Sequence, residues 1–176
     1  NLYFENTTGV FHDFITATSL LKGTTDYCTV KGNMFIGTTG SSGVQIYNNN
    51  TYSQAMRILG SLSIGSGSSF TNVSYNGSTS SVHGYGTGIE LFGNLTNNGT
   101  LTNNANSTGI LKFSGGATQA VSGSGTFNLW NVELNKNIQT LVDQQVNLTA
   151  DNKLNFNSGG ILKTGTNVFS VSNGRS

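Results

Sequence analysis

The stretch Gly88-Ile-Glu-Leu-Phe-Gly-Asn-Leu-Thr-Asn-Asn-Gly-Thr-Leu-Thr-Asn-Asn-Ala-Asn-Ser-Thr-Gly-Ile-Leu-Lys-Phe-Ser-Gly-Gly116 decides the fold. Its apolar residues come in short pulses: Ile89, Leu91, Leu95, Leu101, Ile110 and Phe113. Short runs of alternating apolar and polar residues point one side chain in and the next out, the signature of a strand. Asn-Gly and Gly-Gly pairs separate the pulses and mark turns. Gly88-Ile89 and Gly109-Ile110 open two similar passages, with Ile89, Leu91, Leu95 and Ile110 expected to face inward.

Working outward, the same grammar recurs. Val30-Lys-Gly32-Asn-Met34-Phe-Ile36-Gly37 aligns with Ile58-Leu-Gly60-Ser-Leu62-Ser-Ile64-Gly65. Met56-Arg-Ile58-Leu-Gly60-Ser-Leu62 aligns with Ile89-Glu-Leu91-Phe-Gly93-Asn-Leu95. The shared core is apolar-x-Gly-x-apolar. A second element, Ser42-Gly-Val-Gln-Ile46, resembles Thr87 to Leu91, Thr108 to Lys112 and Gly159 to Lys163. Repeats of unequal length fit a solenoid whose rungs carry loops of different sizes. One such strand buries too little to be stable, whereas stacked rungs cover one another's inward residues. Gly and Asn at the corners are expected to supply positive φ. The absence of proline suits a chain whose backbone donors are all needed in ladders.

Composition narrows the function classes. Only 9% of the 176 residues are charged, against about 25% in an ordinary soluble domain. Gly, Asn, Ser and Thr fill the difference, so the surface is neutral and polar. The eight Lys and Arg are scattered and form no basic stripe, which argues against nucleic acid. Ten Phe and a net charge of +1 argue against disorder. Cys28 is the only cysteine, so the chain forms no internal disulfide and no Cys-based metal cluster. No apolar run reaches the roughly 20 residues that span a bilayer as a helix. Residues 1–29 are the least repetitive and read as an N-terminal cap, with His12 to Leu21 the one passage compatible with a short helix. Residues 30–176 read as the repetitive body, and the pattern is expected to continue past the chain end.

The passage Gln119-Ala-Val121-Ser-Gly123-Ser-Gly125-Thr-Phe127-Asn-Leu-Trp-Asn-Val132-Glu-Leu134-Asn resembles a motif of large secreted surface proteins of Bacteroidota, a Q-x-[IV]-x-G-x-G strand followed by F-x-x-L-x-[IV]. Leu154 to Asn173 resembles that motif's usual continuation. The resemblance covers residues 88 to 173, and Trp130 stands where the family has Leu. It implies a right-handed parallel β-helix, export by the type IX route, and service as an adhesin or cell-surface filament. The motif is architectural and transfers no functional residues.

The titratable and aromatic residues offer few chemical constellations. Glu90 and Glu133 sit in strand pulses and face outward if their neighbours face in, and Lys112 is expected between them. That pattern reads as a solvated face with a cross-rung ion pair rather than the carboxyl pair of a glycosidase. His12 and His83 lack metal-ligand spacing. Gly115-Gly116 and Gly159-Gly160 lack the Asp of calcium-binding solenoids. A flat threonine face of the ice-binding kind is not evident, because no Thr-x-Thr column recurs at a regular spacing. Tyr75, His83 and Tyr85 lie in or beside a Gly/Ser-rich insert, and exposed aromatics beside Asn and Ser suit stacking on sugar rings.

The sequence therefore predicts an all-β protein, a right-handed parallel β-helix of about six or seven rungs with a less regular N-terminal cap. Its expected role is a structural or adhesive segment of a secreted, extracellular or cell-surface bacterial protein, without catalysis, cofactor, metal or membrane insertion. Surface glycans or other cell-surface and secretion proteins are the expected partners. The competing reading is a β-helix that binds or cleaves carbohydrate. Tyr75, His83 and Tyr85 are the candidate ligand-binding residues.

Overall fold

The computed structural model describes residues 1–4, 13–15, 28–38, 45–50, 56–74, 88–103, 109–136, 140–157 and 160–172. All regular structure among them is strand. The strands are β1 (Leu2–Phe4), β2 (Asp13–Ile15), β3 (Cys28–Val30), β4 (Met34–Ile36), β5 (Gln45–Asn50), β6 (Met56–Ile58), β7 (Leu62–Ile64), β8 (Ser69–Ser74) and β9 (Gly88–Leu91). They continue as β10 (Leu95–Asn97), β11 (Thr100–Thr102), β12 (Ile110–Gly115), β13 (Gln119–Ser122), β14 (Thr126–Lys136), β15 (Leu141–Gln144), β16 (Leu148–Phe156), β17 (Ile161–Lys163) and β18 (Phe169–Val171). The passage compatible with a helix contains β2 instead, paired in parallel with β5. Extended chain gains ladder bonds there, and the aromatic Phe14 and β-branched Ile15 favour it over a helix.

Every pairing among the described strands is parallel, and the chain visits three ladders in rotation. The first ladder runs β1-β4-β7-β10-β13-β15-β17. The second runs β2-β5-β8-β11 and continues into the start of β14. The third runs β3-β6-β9-β12 and continues into the end of β14. The long strand β14 thus serves both, changing partners at a register shift between Leu129 and Asn131. β16 does the same, with Leu148–Ala150 against β18 and Lys153–Phe156 against β14. Among the described strands, β1, β2 and β3 are the outermost of their ladders at one end.

Alternate residues from all three ladders meet in one core. Met34, Leu62, Leu95 and Val121 stack in register in the first ladder, and Ile58, Leu91, Phe113 and Leu134 in the third. Phe70 and Leu101 are stacked in the second. All of these are at most 1% exposed, so each contributes roughly 1.5–3 kcal/mol of burial.

Both alignments of the apolar-x-Gly-x-apolar core are realised. Met34 pairs with Leu62 and Cys28 with Met56, as the first alignment requires, and Met56 pairs with Ile89, as the second does. The second repeated element is not a structural repeat. Gln45 belongs to the second ladder, Ile89 and Leu111 to the third, and Ile161 to the first. Within the opening stretch the register is displaced by one position from the sequence match: Ile110 pairs with Gly88, and Leu111 with Ile89. A displacement of one exchanges the two faces of a strand. Leu111 and Phe113 are therefore buried, and Ile110 is only half-buried.

The positive φ expected at corners is found at six described glycines, Gly37, Gly67, Gly115, Gly123, Gly160 and Gly165, but the glycines of the tightest corners serve a different purpose. Gly60 and Gly93 do not have positive φ. A Cβ on Gly93 would lie 2.5 Å from the carbonyl carbon of Gly60, and one on Gly60 would lie 2.6 Å from that of Gly32. Successive corners are stacked backbone on backbone, with Gly93 N–H donating to the Gly60 carbonyl at 2.9 Å. The neighbouring polar residue completes each corner. Asn33 Oδ1 accepts from Ser61 N–H at 2.8 Å, Ser61 Oγ from Asn94 N–H at 3.0 Å, and Asn94 Oδ1 from Ala120 N–H at 2.9 Å.

Candidate functional site: a charged column and a buried lysine

The outward face of the third ladder carries most of the organised charge. Register places Arg57 beside Glu90, Glu90 beside Lys112, and Lys112 beside Glu133, so the signs alternate along one column. Arg57 Nε donates to Glu90 Oε2 at 2.8 Å, and Lys112 Nζ stands 3.5 Å from Glu133 Oε2. Ser114 Oγ donates to Glu90 Oε1 at 2.8 Å, and Asn157 Nδ2 to Glu133 Oε2 at 3.0 Å. The Arg57 guanidinium also lies over the Phe92 ring, 5.8 Å from its centre. Lys112 does lie between the two glutamates, as their spacing suggested. Both carboxylates are engaged by cations and hydrogen-bond donors, an arrangement suited to fixing strand against strand.

A second cluster has no signal in the sequence. Lys136 closes β14 with its side chain fully buried. Its Nζ donates to the carbonyls of Ala117 at 2.6 Å and Ser114 at 3.3 Å, and to Gln119 Oε1 at 2.6 Å. Gln119 is buried too, and its Nε2 donates to the carbonyls of Leu91 at 3.0 Å and Gly93 at 2.6 Å. All three ammonium donors are thus used, yet burial holds the Lys136 pKa below the ordinary lysine value. Gln119 belongs to the quoted Q-x-[IV] motif, but it and Lys136 are far apart in the chain and meet only after a circuit corner.

The second ladder's outward face is the third feature. Ser69, Thr100 and Thr126 are in register, as are Thr71, Thr102 and Asn128, and Thr149 pairs with Ser170. None of these side chains is charged. Asn128 Nδ2 donates to Thr102 Oγ1 at 3.1 Å, and the Thr149 and Ser170 hydroxyls are 2.9 Å apart. The result is a mixed column of hydroxyls and an amide, with Thr-x-Thr at Thr100 and Thr102 alone in it. The steps from Ser69 to Thr100, from Thr100 to Thr126 and from Thr149 to Ser170 are all unequal, which hides the column from a search at fixed period.

Tyr75, His83 and Tyr85 lie outside the described residues, as does His12. The insert holding them joins the second-ladder strand β8 to the third-ladder strand β9. Among the described residues no group of three or more His, Cys, Asp or Glu could hold a metal ion. No helix among them is long and apolar enough to cross a membrane. Comparison of the chain with protein-family models, with curated proteins and with solved structures yields no match.

Proposed function

We propose that the chain is a right-handed parallel β-helix serving as a structural and adhesive segment of an extracellular bacterial surface protein. The observation that carries this reading is the strict rotation of successive strands through three parallel ladders. That arrangement makes a stiff body of stacked rungs about 4.8 Å apart. Its stiffness comes from backbone ladders and stacked corners, and its solubility from neutral hydroxyl and amide side chains. The resemblance of residues 88 to 173 to Bacteroidota surface proteins supports export by the type IX route. Adhesion would rest on weak contacts repeated along many copies, each too feeble alone to hold a cell.

The non-catalytic reading is favoured by the glutamates. Glu90 and Glu133 are two ladder steps apart, and each is tied to a cation. A general acid and its partner base need carboxyls free to exchange protons with substrate. Glycan binding finds support in the hydroxyl and amide columns of the second ladder from β8 onward and in the aromatic insert between β8 and β9. The test is a glycan array probed with the wild-type chain and with Tyr75→Ala and Tyr85→Ala. Binding lost in both variants supports an adhesin reading through these candidate residues. An array with no signal reduces the segment to a spacer, and release of reducing ends from any bound polysaccharide overturns the non-catalytic reading.

A further inference from the structure

We infer that the outward face of the third ladder pairs two copies of this chain, antiparallel, about a two-fold axis between Glu90 and Lys112. Arg57, Glu90, Lys112 and Glu133 occupy consecutive ladder steps. In one direction the column is plus, minus, plus, minus. In the other it is minus, plus, minus, plus. Turned end for end, the column is its own complement: Arg57 of one copy faces Glu133 of the second, and Lys112 faces Glu90, each carboxylate keeping its intrachain cation and the partly exposed cations reaching across. A parallel pairing in register would set each residue against its own kind, where like charges are repelled, and one displaced by a single step would match only three of the four and break the two-fold symmetry. An isologous two-fold contact requires a surface that is self-complementary in this way.

The period selects the occupant. Charges alternating about every 4.8 Å cancel at a distance, so the field of the column dies away within a fraction of its repeat. A generic charged partner sees a neutral surface there. Only a row of the same period and alternating sign, brought into contact, meets every charge with its opposite. Among the described residues the surface with that period and alternation is this column itself. The flanking apolar residues fit a covered face. Leu59, just past Arg57, is 43% exposed. Phe92 leans over Gly115 of the next circuit, toward the proposed axis, where it would meet its symmetry mate. Six strands at ladder spacing give a patch roughly 25–30 Å long and 15 Å wide. That is about half of the ~800 Å² per partner of a standard interface, so the dimer belongs to the weak, transient class.

Cross-linking tests the orientation directly. In one chain, positions 57 and 133 are three ladder steps apart, about 14 Å, whereas sheets packed face to face lie about 10 Å apart, so a thiol cross-linker spanning no more than about 10 Å can join the two positions between copies and not within one. Antiparallel pairing brings position 57 of one copy against position 133 of the other. In a Cys28→Ser background and at low salt, the Arg57→Cys/Glu133→Cys protein, which keeps the Glu90 and Lys112 contacts at the axis, should be cross-linked to a covalent dimer in several-fold higher yield than either single variant. Peptide mapping should find 57–133 linkages. Dominant 57–57 or 133–133 linkages, or no enrichment over the single variants, overturn the inference. Both substitutions remove an ion pair within the column but leave the apolar core intact, so circular dichroism should still report the wild-type strand content. Sedimentation of the unaltered chain supplies an independent reading. A dimer fraction at about 100 μM that falls severalfold as salt is raised is expected for a charge-matched contact. A chain that stays monomeric at millimolar concentration and low salt refutes it.

Discussion

The corner between the third and first ladders is built in two ways. In the first circuits it is as tight as backbone allows: only Phe92, Gly93 and Asn94 separate Leu91 from Leu95, and only Leu59, Gly60 and Ser61 separate Ile58 from Leu62. One circuit later the whole stretch from Ser114 to Ala120 separates the corresponding register partners Phe113 and Val121. A tight corner has no interior to fill, so glycine stacks on glycine and Asn or Ser caps the next N–H. A wide corner has an interior, and Gln119 and Lys136 fill it with hydrogen bonds. The opposite trend holds between the second and third ladders. There the early circuits carry inserts, such as the one between β8 and β9, whereas β14 and β16 run through without a break. The circuit from Leu62 to its partner Leu95 is accordingly much longer than the circuit from Leu141 to Ile161. Length can thus be moved from corner to corner while the three ladders stay in register.

The largest expected effect is at the tight corner. Gly93→Ala places a Cβ 2.5 Å from the Gly60 carbonyl carbon, and neither backbone can retreat without breaking the ladder bonds on both sides. We expect a loss of at least about 3 kcal/mol by urea denaturation, or failure to fold. Gly67→Ala is the control. Its φ is +73° with open space around the added methyl, so only the left-handed penalty of about 1–2 kcal/mol applies. Equal losses at the two sites would refute the stacked-corner account.

The wide corner should respond less to substitution but acquire a pH dependence. Lys136→Met leaves the Ala117 and Ser114 carbonyls and Gln119 Oε1 without their shared donor, for a loss of about 2–3 kcal/mol. Adding Gln119→Leu should cost less than the sum of the two single changes, because both act on one network. The sign of the pH effect follows from burial. The folded pKa of Lys136 is lowered, so between that value and the 10.5 of the unfolded chain the unfolded state holds more protons. Stability therefore rises with pH across that window and levels off above it. Lys136→Met should lack the rise.

The two corner types also explain which parts of the fold are legible in the sequence alone. Val30 to Gly37, Ile58 to Gly65 and Ile89 to Leu95 share a short tight corner, so their apolar residues and glycines fall at one spacing and align by eye. Past Gly116 the corner lengthens, the offsets change from ladder to ladder, and alignment by spacing slips. Gly109-Ile110 mimics Gly88-Ile89 and so points to a core Ile110, whereas ladder hydrogen bonds set Leu111 against Ile89. Strand alternation is a local property and survives in the sequence. Which strands are neighbours depends on how many residues each corner absorbs, and composition does not encode that. The alternating column is legible only in part. Lys112 can be placed between two glutamates, but the Arg57 pairing emerges only when the Met56-to-Ile89 alignment is applied to polar residues as well. The Lys136 plug and the hydroxyl columns leave no such trace.

The smallest effect belongs to the last circuits of the first ladder, where corner and face meet solvent. Asp143 lies in register with Lys163, with Lys163 Nζ 3.4 Å from its Oδ1, and Gln145 Nε2 donates to its Oδ2 at 3.2 Å. The Gln145 hydrogen bond holds the Asp143 pKa below its ordinary value against the opposing effect of desolvation, with Lys163 adding to the lowering. With the folded value depressed, the stabilisation is present above the unfolded pKa of 3.8 and is lost as pH falls through the folded one. Asp143→Asn should therefore flatten part of the decline in urea midpoint below pH 3.8 while leaving the alkaline rise from Lys136 untouched. Exposed pairs of this kind contribute little and are screened by salt, so the difference should shrink as ionic strength is raised. If Asp143→Asn instead lowers stability as much as Lys136→Met, the terminal circuits depend on their surface pairs, and the buried network is not what secures the wide corner.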